Sequence, residues 1–255
     1  MSSGDAKIGR SVTAADHPTD RTARAAGVLY LLMGIPAVFS LEYVPRRLIV
    51  SANAHATASN VLGNEGLFRM AIVAELLAAI FLLLLVMALY RLMGGVSRSY
   101  ARLMVVLVVM SAAVSFLNVL NSVAALNLFR GPDYIAVLET QQREALGMLF
   151  VHLHRQGIGV VGILWGLWLF PFGMLVIRSG FLPRLLGVLL ILNCAGYITA
   201  SATSLLAPQY AAVVSRIVLP TLLGELWIML WLLIRGVGRP DSVGPSNINT
   251  RAVRH

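Results

Sequence analysis

Six apolar blocks, each long enough to cross a lipid bilayer, constrain this 255-residue chain more than any other feature. They cover residues 25–43, 67–92, 103–129, 146–177, 182–206 and 213–237. A helix needs about 20 apolar residues to cross the hydrocarbon core, whereas an amphipathic soluble helix shows polar residues at every turn. We therefore predict an all-α fold, a polytopic membrane helical bundle of six transmembrane helices.

The predicted domain organisation is one transmembrane domain between two polar tails. Residues 23–237 form the six-helix domain, and we expect residues 1–22 and 238–255 to be disordered cytoplasmic tails. Only 12% of the residues are charged, whereas soluble proteins carry about 25%. The low share of charge agrees with a chain that lies mostly in hydrocarbon.

Short signals predict where helices begin and bend. The fourth block is longer than a bilayer requires, and Gly157, Gly159 and Pro171 within it are predicted kink sites. Between the first two blocks, Ser51 is the predicted N-cap of a short helix that ends at Leu62 and lies near the membrane interface.

Basic residues predict the orientation of the chain. Thirteen of them fall in segments on the N-terminal side of the membrane and six in segments on the opposite side. Short basic loops stay in the cytoplasm, so we expect both termini there (N-in, C-in). The basic residues lie in tails and loops rather than on one face. We therefore expect the lipid bilayer as their partner and exclude nucleic acid.

Four charged or histidine side chains lie at least eight residues from either end of a predicted span, where each costs on the order of 2.5–3.5 kcal/mol unless it meets a partner or water. Glu75 is on the second span, His154 and Arg155 are on the fourth, and Glu225 is on the sixth. Glu75 lies six residues from Arg69, Glu225 nine from Arg216, and His154 eight from the start of its span. At about 1.5 Å per residue, with Arg69 and Arg216 taken to mark the outer interface, these distances are about 9–14 Å. We therefore expect these three residues at a common depth in the outer half of the membrane.

Neutral polar residues extend this set. Asn118 and Asn121 are three residues apart and share a helix face, and Tyr197 lies at middle to outer depth on the fifth span. All these residues are candidates for a ligand or proton site in a polar cavity that opens outward. The structural alternative is a knot of the two glutamates around Arg155, with asparagines that only bond neighbouring helices.

The sequence predicts no metal and no cofactor. Glu75, Glu225 and His154 are ligand types of carboxylate-rich metal centres, but Arg155 beside them would repel a cation. The two histidines of the fourth span also lack the i, i+3 or i, i+4 spacing of metal-binding helices. The G-x-G-x-x-G letters at 157–162 lie inside an apolar span, where small residues allow close helix packing.

Five groups of residues share their order and spacing with one known family. They are Glu65-Gly66-Leu67-Phe68-Arg69 with Glu75, Leu153-His154 with Gly157, Ser179-Gly180-Phe181-Leu182-Pro183-Arg184 with Leu186-Gly187, Tyr197, and Gly224-Glu225 with Trp231-Leu232-Leu233. On these residues, the chain resembles the domain of unknown function 4386 family of bacterial six-helix membrane proteins over roughly residues 21–238. The resemblance implies a multi-pass protein of the bacterial cytoplasmic membrane and implies no established chemistry.

Three functions agree with these features. The first is binding or transport of a small amphipathic molecule through the outer-half polar cluster, with Glu75 or Glu225 able to take a proton. The second is a membrane-embedded enzyme that uses Glu75, Glu225 and His154 as acid and base. The third is a structural or accessory role beside another membrane protein. The sequence identifies no catalytic residue, and we favour a role other than catalysis.

Overall fold

The computed structural model describes residues 20–237, and all regular structure in this range is helical. The α-helices are α1 (Asp20–Val38), α2 (Val44–Leu48), α3 (Ala54–Gly63), α4 (Glu65–Met93), α5 (Arg98–Arg130), α6 (Thr140–Leu167), α7 (Leu169–Ser179), α8 (Arg184–Leu206), α9 (Ala211–Val218) and α10 (Leu223–Ile234). A π-helical turn, Phe39–Tyr43, joins α1 to α2, and 3-10 turns occupy Asp133–Ile135, Pro208–Tyr210 and Leu219–Leu222. The predicted all-α fold is confirmed.

Six helical segments are long and apolar enough to cross a membrane, as predicted. They are Asp20–Leu48, Glu65–Met93, Arg98–Arg130, Thr140–Ser179, Arg184–Leu206 and Pro208–Ile234. Most extend beyond the apolar blocks because polar residues continue the helix at its ends. Residues 20–22, predicted as tail, form the first turn of α1, where the carboxylate of Asp20 suits the positive end of the helix dipole. The rest of both predicted tails, 1–19 and 238–255, lies outside the described residues.

The six spans form a closed ring in chain order. Each span packs against the next, and α10 of the sixth span returns to pack against α1 of the first. Following the predicted orientation, we call the end with Asp20 and Met93 the inner end and the end with Leu48 and Glu65 the outer end. The interior of a helical ring is either filled by side chains or left as a cavity. In this ring, side chains fill the inner half, and the outer half contains a cavity.

Apolar side chains fill the inner half. The fourth span breaks at Trp168, and the following α7 packs against α5 and α8 and touches α4. Its Leu169, Phe172, Leu175 and Val176 are fully buried. The surrounding helices contribute further fully buried side chains, namely Leu85, Leu89, Met93, Met104, Val108, Leu190, Ile228 and Leu232. This set is the inner core of the protein.

A second apolar cluster closes one side of the outer end. It contains Val44, Leu48, Ala58, Val61, Phe68, Ala71, Ala125, Leu126 and Phe129, from α2 to α5. The predicted short helix between the first two spans is present as α3. Its N-cap, however, is Asn53, whose side chain accepts a hydrogen bond from the backbone N–H of Ala56 at 2.9 Å. Ser51 is not the cap because the helix begins three residues beyond it, at Ala54.

Three spans are interrupted. The break at Trp168 lies one turn before Pro171. Proline has no N–H to donate to the carbonyl four residues earlier, so a helix interruption is present where the kink at Pro171 was predicted. Gly157 and Gly159 lie inside the continuous α6, so neither of these predicted kink sites interrupts the helix. The sixth span is interrupted by the 3-10 turn around Pro220, and the first by its π turn. Such π turns are frequent at functional sites.

Candidate functional site

Glu75 pairs with His154 across the interior of the ring. The Nε2 atom of His154 lies 3.0 Å from Oε2 and 3.2 Å from Oε1 of Glu75. The Glu75 residue is only 8% exposed. The two residues belong to α4 and α6, which do not pack against each other in the ring. The pair therefore crosses an open interior rather than a helix contact.

Glu225 has a different set of partners. The hydroxyl of Tyr30 donates to its Oε2 atom at 2.7 Å, and Nδ2 of Asn193 donates to Oε1 at 2.7 Å. The Tyr197 hydroxyl also interacts with this carboxylate. Thr221 donates to Oδ1 of Asn193 at 3.2 Å, which orients the amide toward Glu225. All of these donors are neutral, and no basic side chain within residues 20–237 forms an ion pair with Glu225.

The expectation of a common depth fails for Glu225. It is nine residues from the inner end of α10 at Ile234, and its partner Asn193 is nine residues from the inner end of α8 at Arg184. At about 1.5 Å per residue, both lie about 14 Å from the inner end. Glu75 is eighteen residues from the inner end of α4 at Met93, or about 27 Å. The prediction took Arg216 as the outer boundary of the sixth span, whereas that span begins eight residues earlier, at Pro208.

The predicted knot of two glutamates around Arg155 is absent. Arg155 is exposed, and no described carboxylate forms an ion pair with it. Successive residues of a helix point about 100° apart, and His154 takes the direction that faces Glu75. Arg155 instead lies on the wall of a cavity described below.

Asn118 and Asn121 bond to each other and to the fourth span. Nδ2 of Asn121 donates to Oδ1 of Asn118 at 3.1 Å, and Nδ2 of Asn118 donates to the backbone carbonyl of His154 at 3.0 Å. A Cβ atom at Gly157 would overlap the Asn118 amide, so this glycine makes room for it. The asparagines therefore fix the position of the histidine's helix turn.

Tyr30 is the site residue that sequence reasoning missed. It continues a buried stripe of small residues on α1, Ala23, Ala26 and Gly27, at helical spacing. A tyrosine on such a stripe needs a partner for its hydroxyl when buried, and that was the available signal. Its partner Glu225 lies 195 residues away in the chain. Only the packing of the sixth span against the first brings them together.

Two cavities of the ring interior meet at these residues. The outer cavity, of about 870 Å³, is lined by Glu75, His154 and Arg155 among others, with α2 and α9 at its sides. The inner cavity, of about 130 Å³, lies between Glu75 and Glu225. Six residues line both cavities: Ala37, Ser40, Leu41, Glu75, Trp165 and Tyr197. The cavities are therefore adjacent, with Glu75 on the boundary between them and Glu225 in the inner one.

Comparison with known proteins identifies the family. The sequence model described as domain of unknown function (DUF4386) matches residues 25–236 of the chain. The chain belongs to this family. No curated protein and no solved structure matches it. The resemblance predicted from the sequence motifs is confirmed, and the function of this DUF4386 protein has to be argued from its own site.

The charges of the two cavities differ in this DUF4386 protein. The outer cavity is lined by both signs: Glu42, Glu75, Arg46, His154 and Arg155. The inner cavity is lined by Glu75 and Glu225, by aromatic side chains and by no basic side chain of the described range. Within residues 20–237, no three His, Cys, Asp or Glu side chains are close enough together to hold a metal ion.

The first and sixth spans pack together only in the inner half of the ring. In the inner half, α10 closes the ring against α1. In the outer half, α9 packs on α8 and on the turns beside it but has no packing against the first span, and none of its residues is buried. The outer cavity reaches from α2, at Pro45, Arg46 and Ile49, to Ser215 of α9. We call the gap between α2 and α9, which borders the outer cavity, the side door of the ring.

Proposed function

We propose that this protein binds or transports a small amphipathic molecule, which occupies the cavities of the ring. The observation that carries the proposal is the series of two adjacent cavities, which extends from the side door past Glu75 to Glu225. Ligand sites are concave and mostly apolar, with a few polar groups that converge on the ligand, and these cavities have that character.

The side door favours an amphipathic ligand. A molecule that partitions into the bilayer would reach the outer cavity between α2 and α9 without crossing the apolar cluster at the outer end. Its apolar part would lie among lining side chains such as Ile49, Phe68 and Ile72. Its polar part would reach Glu75 and His154. We further propose the bacterial cytoplasmic membrane as the location and N-in, C-in as the orientation.

The geometry gives less support to an enzyme. A carboxylate-oriented histidine is the arrangement of a general base, and Glu75 with His154 has that form. In the described range, however, the histidine ring bonds only to Glu75, through Nε2. No serine, threonine or cysteine among residues 20–237 donates to its Nδ1 atom. An activated nucleophile, which acyl transfer would need, is therefore missing from this pair.

A pair of neighbouring alanines provides the test. Ala112 is buried and lines the inner cavity, whereas Ala113, next to it on α5, is exposed on the outside of the ring. A phenyl group is about the size of a ligand that a cavity of about 150 Å³ accommodates. Ala112→Phe should therefore fill most of the inner cavity, and Ala113→Phe is the matched control.

Binding would be measured with the protein in lipid nanodiscs. The probes are alkylamines, alcohols and carboxylates with six to ten carbons, and the signal is the tryptophan fluorescence, since Trp165 and Trp168 line the inner cavity. We expect at least one probe to bind wild type and Ala113→Phe and to bind Ala112→Phe at least tenfold more weakly. If no probe binds, or if Ala112→Phe binds as well as its control, the proposal is wrong. Flux of the bound probe across proteoliposomes then separates transport from binding.

A further inference from the structure

We propose that the inner cavity binds the ammonium group of a small organic cation, with Glu225 as its counter-ion. This inference deepens the proposed binding function and rests on it. It specifies the charge of the ligand, which the shape of the cavities alone leaves open.

The first step is the charge balance of the inner cavity. The carboxylate of Glu75 pairs with the His154 ring, but the carboxylate of Glu225 has only neutral partners among the described residues. An isolated carboxylate in a low-dielectric interior is costly unless a proton or another cation accompanies it. No basic side chain of the described range lines the inner cavity. Within the described range, the compensating charge at Glu225 therefore has to be a proton or a cation that enters the cavity, and we propose the cation.

The second step is the space beside Glu225. A carboxylate that only held helices together would be enclosed by its hydrogen-bond partners, as a packed core requires. Glu225 instead lines a cavity of about 130 Å³ and is not fully buried. Tyr30, Asn193 and Tyr197 are its three described hydrogen-bonding partners, whereas a carboxylate has about four acceptor positions. Its carboxylate thus keeps both space and acceptor capacity toward the cavity.

The third step is the lining. Trp165, Trp168 and Tyr197 line the same cavity as Glu225. Aromatic rings attract cations through their electron-rich faces, and aromatic side chains with a carboxylate are the usual recognition elements for alkylated ammonium groups. The remaining lining is largely Ala, Leu and Met, which suits alkyl substituents. A metal cation would need several oxygen ligands, and the described range has no group of three His, Cys, Asp or Glu side chains that could hold one.

The fourth step is the arrangement of the two cavities. Of the two cavities, only the outer one is lined by basic side chains of the described range. There, Arg46 pairs with Glu42 and His154 pairs with Glu75. An ammonium group would therefore find its uncompensated negative charge only at Glu225. Its alkyl chain would extend past Glu75 into the outer cavity, toward the side door.

The experiment compares probes that share an octyl chain and differ in charge: octyltrimethylammonium, octanol and octanoate. Binding to wild type, Ala112→Phe, Glu225→Gln and Glu65→Gln is measured by tryptophan fluorescence in nanodiscs. Glu65→Gln is the matched control, because Glu65 pairs with Arg69 at the outer end and lines neither cavity. Equal thermal unfolding of Glu225→Gln and wild type shows that the variant is folded; otherwise Glu225→Met, a neutral side chain of similar length, replaces it.

We expect wild type and Glu65→Gln to bind the ammonium probe at least tenfold more tightly than octanol or octanoate. Glu225→Gln should lose this preference and keep its affinity for octanol. Equal binding of all three probes, blocked by Ala112→Phe, would overturn the ammonium proposal and leave the proposed function standing. An ammonium preference that survives Glu225→Gln would also overturn it. If no probe is sensitive to Ala112→Phe, both proposals fail.

Discussion

The inner and outer halves of the ring differ in how the same six spans use their interior. In the inner half, α7 packs against α5 and α8 and fully buried apolar side chains fill the centre. In the outer half, the centre is a cavity of about 870 Å³ bordered by charged residues, and α9 leaves one side open. From this comparison we infer a division of roles, in which the packed inner end supplies stability and the cavities beyond it are free to hold the proposed ligand. Three sets of substitutions would break or sharpen this division of roles.

The largest expected effect is in the inner core. Phe172→Ala removes a fully buried ring that stacks on Trp168 with a centroid distance of 5.5 Å. We expect the free energy of unfolding to fall by about 3–5 kcal/mol, because the cavity left behind cannot collapse. Unfolding by SDS titration in bicelles measures the loss. Phe170→Ala, two residues away and 42% exposed, is the control and should cost far less. Equal losses would show that the inner core is not the stabilising region.

A pair of glycine substitutions compares the two halves directly. A Cβ atom at Gly173 would lie 2.7 Å from the carbonyl oxygen of Gly187 in the backbone of α8, so Gly173→Ala should cost about 1–3 kcal/mol. A Cβ atom at Gly162 would meet only Oγ of Ser201, a side chain that lines the outer cavity and can turn into it. We expect Gly162→Ala to cost clearly less in the same unfolding assay.

The control for both is Gly34→Ala, since no atom lies within 4 Å of the added Cβ. It should stabilise the protein by up to about 1 kcal/mol through helix propensity alone. If Gly162→Ala destabilises as much as Gly173→Ala, the outer half is as tightly packed as the inner half and the division of roles is wrong.

The smallest expected effect is in the asparagine pair. Asn121→Ala removes one hydrogen bond between two side chains of α5, and such bonds in membranes contribute about 0.6 kcal/mol. A double-mutant cycle with Asn118→Ala sharpens the measurement. The loss from Asn121→Ala should largely vanish in the Asn118→Ala background, because Asn118 is its partner there. An unchanged loss would mean that Asn121 acts through some other contact.

The sequence predicted those features that depend on one helix alone. The six spans follow from the thickness of hydrocarbon, and the shared face of Asn118 and Asn121 follows from their spacing, which their hydrogen bond confirms. Features that depend on how two helices pack against each other could not be predicted from the sequence. A single sequence does not tell which of His154 and Arg155 faces Glu75. It also does not tell that the sixth span packs against the first, beside Tyr30.

Local interruptions were predicted in part. Pro171 gave a signal for the break at Trp168 because proline lacks the N–H that a continuous helix needs. The π turn at Phe39–Tyr43 has no comparable signal, since its residues are ordinary helix residues. The depth of Glu225 was misjudged because charges near a span end do not mark where the helix begins. The geometry of the site therefore depends on where helices begin and where they are interrupted, which the sequence predicts poorly.

Closure of the ring through its first and last spans has one more consequence. The backbone N–H of Val237 donates to the carboxylate of Asp20 at 3.2 Å, so the two ends of the described chain lie side by side. Joining them with a short linker and opening the chain between α4 and α5, also at the inner end, would give a circular permutant with all neighbours preserved. Such a chain would begin at the third span and keep every span in its original direction. The architecture thus depends on the cyclic order of its helices and not on which one is made first.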